Sequence, residues 1–433
     1  MRVRRTISRH AVVLVLAMAA PAAIRAQTPA PPAQGPPAAT LTMDDAVRLA
    51  LARNQTLLAQ RLTVDESRAD ETTAALKPNF TFGFGVSGLS VFSPSHLTFS
   101  TASSDVAYDT SLSYLFERGG KRDKRTTVAR DTTDVTARGV SDAERQLRFQ
   151  TEQAFINVVL AKSMLDLAQQ NLTNYTQVVN VNQQRVTSGD LAQGDFLPIQ
   201  IQKLQFETDL SGAEVGLVQA KASLRQLVGY DTVTEDFDVA GDLTSAAPAV
   251  TLEDLQRTAL ASRSDLLAAQ SSLKLAQDSA ALERGNRARD VTGTVDYTKA
   301  TQSNTLAVGV SFDLPFRDRN QGNIAHADIA VHEAEQTETA TRMGVLTDVT
   351  SAFAAYQTNV KVVKLYESGY LDQAKQSLDI STYAFQRGAS SLLELLDAER
   401  TFRDTQLGYR QAQAALMTSI RQLNFVVGKQ VVP

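Results

Sequence analysis

The chain has 433 residues, a formal net charge of -4 and no cysteine. That charge offers nothing for a nucleic-acid partner, and the lack of thiols excludes disulfides, thiolate metal sites, a cysteine nucleophile and a lipid-modified cysteine. Length alone accommodates two or three ordinary domains or one very elongated one.

Arg2, Arg4, Arg5 and Arg9 precede an apolar run from Ala11 to Ala20, followed by Pro21 and small residues to Ala26. This is the pattern of a cleavable secretory signal over 1–26, too short for a membrane helix. Residues 27–40, QTPAPPAQGPPAAT, read as an extended Pro/Ala-rich tether, so the mature fold is expected from Leu41.

A helix is expected over 44–76, opened by Thr42 with Asp44 and Asp45 behind it. Strands are expected over 79–92 and 105–116. The first contains Gly83-x-Gly85-x-x-Gly88, which matches the glycine fingerprint of a dinucleotide site. That site needs glycines between a strand and a helix. Here Phe80, Phe82, Phe84 and Val86 alternate with Thr81, Gly83, Gly85 and Ser87, so the glycines lie inside a two-faced strand. At Gly88 the apolar phase slips to Leu89 and Val91, which suggests a bulge.

Lys121, Arg122, Lys124 and Arg125 follow the second strand without meeting the Walker pattern. They read either as a basic collar at lipid headgroups or as a solvated helix start. A helix over 123–187 would be on the order of 100 Å long. Its apolar positions Leu147, Ala154, Val158, Ala161, Leu165, Ala168, Leu172, Tyr175, Val179 and Val186 recur at threes and fours, a coiled-coil seam. The turn SGDLAQGD (188–195) leads to a helix over 195–228, and a linker or equatorial region spans 229–250.

The second half repeats the first. TLEDLQRTALASRSDLLA from Thr251 superposes on TMDDAVRLALARNQTLLA from Thr42 at an offset of 209, and Gly388 and Glu394 superpose on Gly189 and Asp195 at an offset of 199. The chain therefore divides into repeats 41–228 and 251–428. In the second repeat, helices are expected over 252–284, 323–387 and 391–427, with strands over 291–299 and 306–316.

Strand 306–316 has Leu306, Val308, Val310, Phe312, Leu314 and Phe316 on one face and Ala307, Gly309, Ser311 and Asp313 on the other. One face suits lipid and the other a watery lumen. Strands of this length can span a tilted bilayer crossing, but a spanning sheet with open edges leaves backbone groups unpaired in lipid. Four strands per chain therefore force assembly, and three copies would supply twelve. A soluble sheet on a helical base remains the alternative.

The duplicated plan, the opening LTMDDAVRLALARNQTL, the segments FERGGKR (116–122) and LPFRDRNQGN (314–323) and the paired glycine turns together resemble the TolC-type outer membrane factor family. FERGGKR and FRDRNQGN are most similar to its CzcC-like metal-efflux branch. The resemblance implies a mainly α fold with membrane β: a homotrimer whose twelve-stranded β-barrel in outer membrane lipid continues as an α-helical periplasmic tunnel. It further implies an exit duct of a tripartite efflux or type I secretion system, with no cofactor or energy source of its own. A periplasmic adaptor would join it to an inner membrane pump of the RND type.

The resemblance also assigns roles. Gly189, Asp195, Arg387, Gly388 and Leu392 match the periplasmic tip where the adaptor docks. Glu394 and Asp397, three apart on one helical face, match acidic positions at the tunnel entrance, where six carboxylates per trimer would favour cations. Where some members carry an arginine two residues after the tip glycine, this chain has Ser390. Gly83, Gly85, Gly309, Ser311 and Asp313 would line the barrel lumen.

Enzymatic chemistry finds no footing. His10 lies in the signal, His96 in the presumed extracellular loop, and His326 and His332 fall on different helix faces. No metal-binding histidine pair or nucleophile elbow is present. A periplasmic coiled-coil adaptor or scaffold would share the signal and the heptads but not the lipid-facing strands. The sequence does not name the cargo.

Overall fold

A computed structural model describes residues 40–88, 106–244 and 248–432. The signal and nearly all of the tether lie outside these residues. So do the phase slip at Leu89 and Val91, and His96.

Strand β1 (Thr40–Leu41) leads into α1 (Met43–Arg53), where the Thr42 hydroxyl accepts from the Asp45 backbone N–H. The first helix does not continue to residue 76 as a single rod. It breaks at Asn54, whose side chain accepts from Leu57 N, and resumes as α2 (Gln55–Ala75). Asn54 is itself a strong N-cap residue, and it adopts extended backbone here. The second repeat breaks at the matching position, Arg263, between α5 (Leu252–Ser262) and α6 (Ser264–Asn286). The apolar period runs in phase through both breaks and so conceals them.

Strands β2 (Thr81–Ser87), β3 (Ala107–Phe116), β5 (Val291–Lys299) and β6 (Asn304–Ser311) form an antiparallel sheet in the order β2-β3-β5-β6. β6 stops at Ser311 rather than reaching Phe316. Its partner β5 begins at Val291, Ser311 pairs with Thr292, and Pro315 cannot donate to a ladder.

Helix α3 (Lys121–Ser188) is one uninterrupted 68-residue rod, about 100 Å long. Every residue of its predicted seam is buried or half-buried. α4 (Gln193–Val228) packs along it. The segment after α4 returns to the core: β4 (Asp238–Val239) pairs in parallel with β1. Val233, Phe237, Val239 and Leu243 are buried with Phe155, Ile156 and Leu224.

The second long rod is interrupted, contrary to its expected single span over 323–387. α7 (Gln321–Leu365) passes through a π turn at Tyr366–Tyr370, where Gly369 takes φ 117°, into α8 (Leu371–Gln386). The last helix is α9 (Leu392–Val427).

The basic side chains after β3, Lys121, Arg122, Lys124 and Arg125, are half-buried and so are not a plainly solvated helix start. Arg122 Nε donates to Ala75 O at 2.6 Å, and Arg125 donates to Ala74 O and Leu76 O. Arg125 also pairs with Glu117 at 2.7 Å, and Lys121 with Asp290 at 2.8 Å. These side chains satisfy the orphan carbonyls at the C-terminus of α2, where cations are also favoured by the helix dipole. In the second repeat Asn320 does the same for α6, donating to Glu283 O at 2.8 Å.

Candidate functional site

The sheet's register sorts its residues by face, because directly paired residues project to the same side. Phe82, Leu112, Val295 and Val308 form one row across all four strands, and Phe84, Thr110, Tyr297 and Leu306 form the next. The opposite face carries Gly83, Ser111, Asp296 and Ala307, then Gly85, Asp109, Thr298 and Thr305. Gly309 and Ser311 share that small and polar face, whereas Asp313 lies beyond the end of β6. Asp109 is held by Ser87 at 3.0 Å and Thr298 at 2.8 Å. The apolar rows are exposed. β2 and β6 are the edges of this sheet, and each has one unpaired side.

The helices have matching edges. On α4, Leu197, Ile201, Leu204, Val215 and Val218 are exposed at heptad spacing. Along α7 and α8, Ile329, Met343, Leu365, Ile380 and Tyr383 are exposed. Two unlike apolar edges on one chain make a heterologous contact, which closes into a ring if the rotation allows. The antiparallel alternation of β2 to β6 would continue across such a joint.

At the far end of the rods two turns have the same construction. Gly189 (φ 84°) and Gly388 (φ 71°) adopt the left-handed conformation that ends α3 and α8. Asp190 N donates to Arg185 O and Ala389 N to Ala384 O, both at 2.8 Å, while the glycine N–H groups bond to Val186 O and Phe385 O. These are Schellman closures, in which glycine avoids the penalty a side chain would meet. Asp195 and Glu394 then occupy the same third position of the helices that follow.

Gly189, Asp195, Arg387 and Gly388 are exposed at these turns, and the Arg387 guanidinium lies 5.1 Å from the Tyr383 ring centroid. Leu392 instead packs partly buried against a cluster of Tyr175, Phe196, Ile199, Phe206, Phe385 and Leu395. The apolar side chain presented outward is Leu393. Glu394 and Asp397 are both exposed. Glu394 has a structural task as well: its carboxylate accepts from Ser391 N at 3.2 Å while Ser391 Oγ accepts from Glu394 N at 3.3 Å. This capping box was legible as Ser391-x-x-Glu394 ahead of an apolar run.

Sequence reading missed Glu399, about two turns into α9. Burial pushes its carboxyl up to about 7, and its Oε2 has no hydrogen-bond partner. No local pattern distinguishes it from an exposed helical glutamate.

Among the described residues no helix is long and apolar enough to cross a membrane, which leaves the sheet as the element with a lipid-compatible face. No group of three His, Asp or Glu side chains there is placed to hold a metal ion.

Comparison with known proteins places these features in one family. The family model described as outer membrane efflux protein matches residues 46–230 and again 255–429, one match for each repeat. The cobalt-zinc-cadmium resistance protein CzcC of Cupriavidus metallidurans is 23% identical over 86% of each chain. The outer membrane protein TolC of Vibrio cholerae is 22% identical over 70% of this chain and 73% of its own. A crystal structure of CusC superposes with a TM-score of 0.76 at 19% identity, covering 89% of this chain and 92% of the other.

Proposed function

The chain belongs to the outer membrane efflux protein family, and from that premise we infer how its own residues build a duct. It is the outer membrane channel of a tripartite efflux system, a trimer that works with a periplasmic adaptor and an inner membrane RND pump. The observation that carries the inference is the registered sheet with one exposed apolar face, one small and polar face, and two free edges. Pairing β6 of one copy with β2 of the next satisfies the edge groups that lipid cannot solvate.

On this reading the Phe82 and Phe84 rows meet lipid. Gly83, Gly85, Gly309 and Ser311 line the lumen, where small side chains leave the bore open. Asp313 belongs to the rim below the strand end. Gly189, Asp195, Arg387, Gly388 and Leu393 form the face offered to the adaptor, with Leu392 holding the turn from inside. Glu394 and Asp397 form the acidic entrance. On this reading the barrel seats the protein in the outer membrane. Conduction is passive, and no residue is assigned a catalytic role. We place the chain in the CzcC-like branch, which makes divalent metal cations the first cargo to test.

The test is fractionation followed by phenotype. Recovery of the native protein in the soluble periplasm without detergent would sink the duct. Loss of the gene should sensitise cells to divalent cobalt, zinc or cadmium more than to dyes, detergents or antibiotics. Equal sensitisation to all of them would remove the metal-efflux assignment and keep the duct.

A further inference from the structure

The break between α1 and α2 opens a cleft of about 680 Å³ against α3 and the end of α4. Leu57, Leu147 and Leu227 form an apolar floor. Around it stand the carboxamides of Gln55, Gln60, Gln150 and Gln226, which have no hydrogen-bond partner among the described residues. Arg53 and Asp231 add one charge of each sign, and Tyr230, 55% exposed, stands beside them.

The Tyr230 ring is held in place. Arg225 Nε donates to Val233 O at 2.8 Å and Nη2 to Tyr230 O at 3.2 Å, and the guanidinium lies 4.7 Å from the ring centroid. Thr232 N closes the turn on Gly229 O at 3.1 Å.

The second repeat shows the same joint closed. Asn54 Nδ2 donates to Leu227 O at 3.3 Å, and at the matching position Arg263 Nη1 donates to Val426 O at 3.4 Å. Arg263 fills the space with its own side chain, only 7% exposed and paired with Asp265 at 2.9 Å and Asp348 at 2.6 Å. A Cβ on Gly428 would lie 2.9 Å from Arg263 Cα, whereas one on the matching Gly229 would stand 3.8 Å from Arg53 Cβ. The counterparts of Gln60 and Tyr230 are Ala269 and Lys429. The fold can therefore close this joint with its own side chains, and the first repeat leaves it open and lined with free amides.

A pyranose ring has an apolar face of C–H bonds and an edge of hydroxyls that donate and accept at once. Carboxamides also donate and accept, and an apolar floor with an exposed aromatic ring suits the C–H faces. One cation and one anion give a strongly charged ligand little to hold. A volume of this size admits a short oligosaccharide. We propose that the cleft is a binding site for a chain of pyranose sugars, with Tyr230 as the stacking platform and Gln60 and Gln150 as hydroxyl partners. Leu147 lies 26 residues into α3, which began at Lys121, so the cleft stands about 40 Å along the rod from the sheet. The duct reading makes that height periplasmic and serves only to choose the sugars to test.

Isothermal titration calorimetry on the full-length trimer, in a detergent without a sugar headgroup, tests the site. One arm uses chitotetraose, the N-acetylated sugar of a cell-wall glycan, and the other laminaritetraose, a plain glucan. Saturable binding of either supports the site and identifies the source. Tyr230→Ala, and Gln60→Ala with Gln150→Ala, should each weaken binding about tenfold. Tyr230→Phe, which keeps the ring, and Lys429→Ala, at the matching place in the second repeat, should bind as the unaltered protein does. Binding of neither sugar, or binding that the alanine variants leave unchanged, would overturn the proposal. So would a Tyr230→Ala protein that loses its trimer on native gels while its sugar titration is unaltered, since the cleft would then be a joint between subunits. Failure of the duct in membrane fractionation would leave the titration to decide the cleft by itself.

Discussion

Replacing Gly119 by alanine tests the joint between sheet and tunnel, with the neighbouring Gly120 as its internal control. Both glycines are left-handed, at φ 73° and 66°. A Cβ on Gly119 would lie 2.6 Å from Gly285 O and 2.8 Å from Ala288 Cβ, whereas a Cβ on Gly120 meets nothing within 4 Å. The left-handed backbone costs alanine about 1–2 kcal/mol at either position. Overpacking against a backbone carbonyl adds about 1–3 kcal/mol at Gly119 alone.

Gly119→Ala should therefore destabilise by roughly 2–5 kcal/mol and Gly120→Ala by about 1–2 kcal/mol. Gly120→Asn should be milder still, because Asn320 occupies the matching position of the second repeat at φ 60°. A detergent-solubilised trimer unfolds irreversibly as a rule, so the quantity to compare is the rate of trimer loss at fixed temperature, followed by gel mobility and circular dichroism. The expected order of rates is Gly119→Ala, then Gly120→Ala, then Gly120→Asn. Equal rates for the two alanine variants would refute the close approach of β3's exit to the end of α6.

Three further variants address the wall, the entrance and the tip. Val308→Arg, midway along β6 on the apolar face, should cost about 2–4 kcal/mol and lower trimer recovery from outer membranes. Ala307→Arg on the other face should assemble and conduct less; equal recovery of both would mean that the apolar face does not meet lipid. Glu394→Gln with Asp397→Asn should keep the fold, since glutamine serves a capping box, yet reduce cation preference in reversal-potential measurements. An unchanged preference would remove both residues from the entrance. Gly388→Val should weaken the tip turn and abolish adaptor cross-linking, and normal export would show that the adaptor docks elsewhere.

What could be read from sequence was whatever local periodicity encodes. Alternation of Phe82, Phe84 and Val86 with Gly83, Gly85 and Ser87 predicts two faces for β2, and the register places the matching residues of the other strands beside them. The heptads of α3 likewise lie against neighbouring helices. The breaks at Asn54 and Arg263 were missed because apolar period and helix propensity both continue across them. Asn54 carried a capping signal that the surrounding pattern outweighed. The partners of Arg122 and Arg125, the carbonyls of Ala74 to Leu76, were not legible in sequence because only packing α2 on α3 brings them near. Glu399 was invisible for the same kind of reason. A helical glutamate is ordinary until a neighbouring helix takes away its water.

The two repeats share a plan, and their departures from it have physical consequences. The offset between them is 209 residues at Asn54 and Arg263 but 200 at Gly120 and Asn320, so the length change falls in the hairpins. The first hairpin connects β2 to β3 through residues 88–106, while the second needs only 300–303. From Gly120 to the tip the offset changes by only one more residue, to 199 at Gly189 and Gly388, yet the rods differ in kind. α3 runs unbroken, whereas α7 yields to a π turn in which Tyr366 rests on Gly408 of α9, where a Cβ would lie 2.5 Å from its hydroxyl. π turns interrupt the regular backbone ladder and commonly mark places where a helix must give. The second repeat also buries Glu399 Oε2 and Gln406 Oε1 on α9 without a hydrogen-bond partner. The two repeats thus build the same position differently, with a continuous rod in the first and a rod interrupted by a π turn in the second.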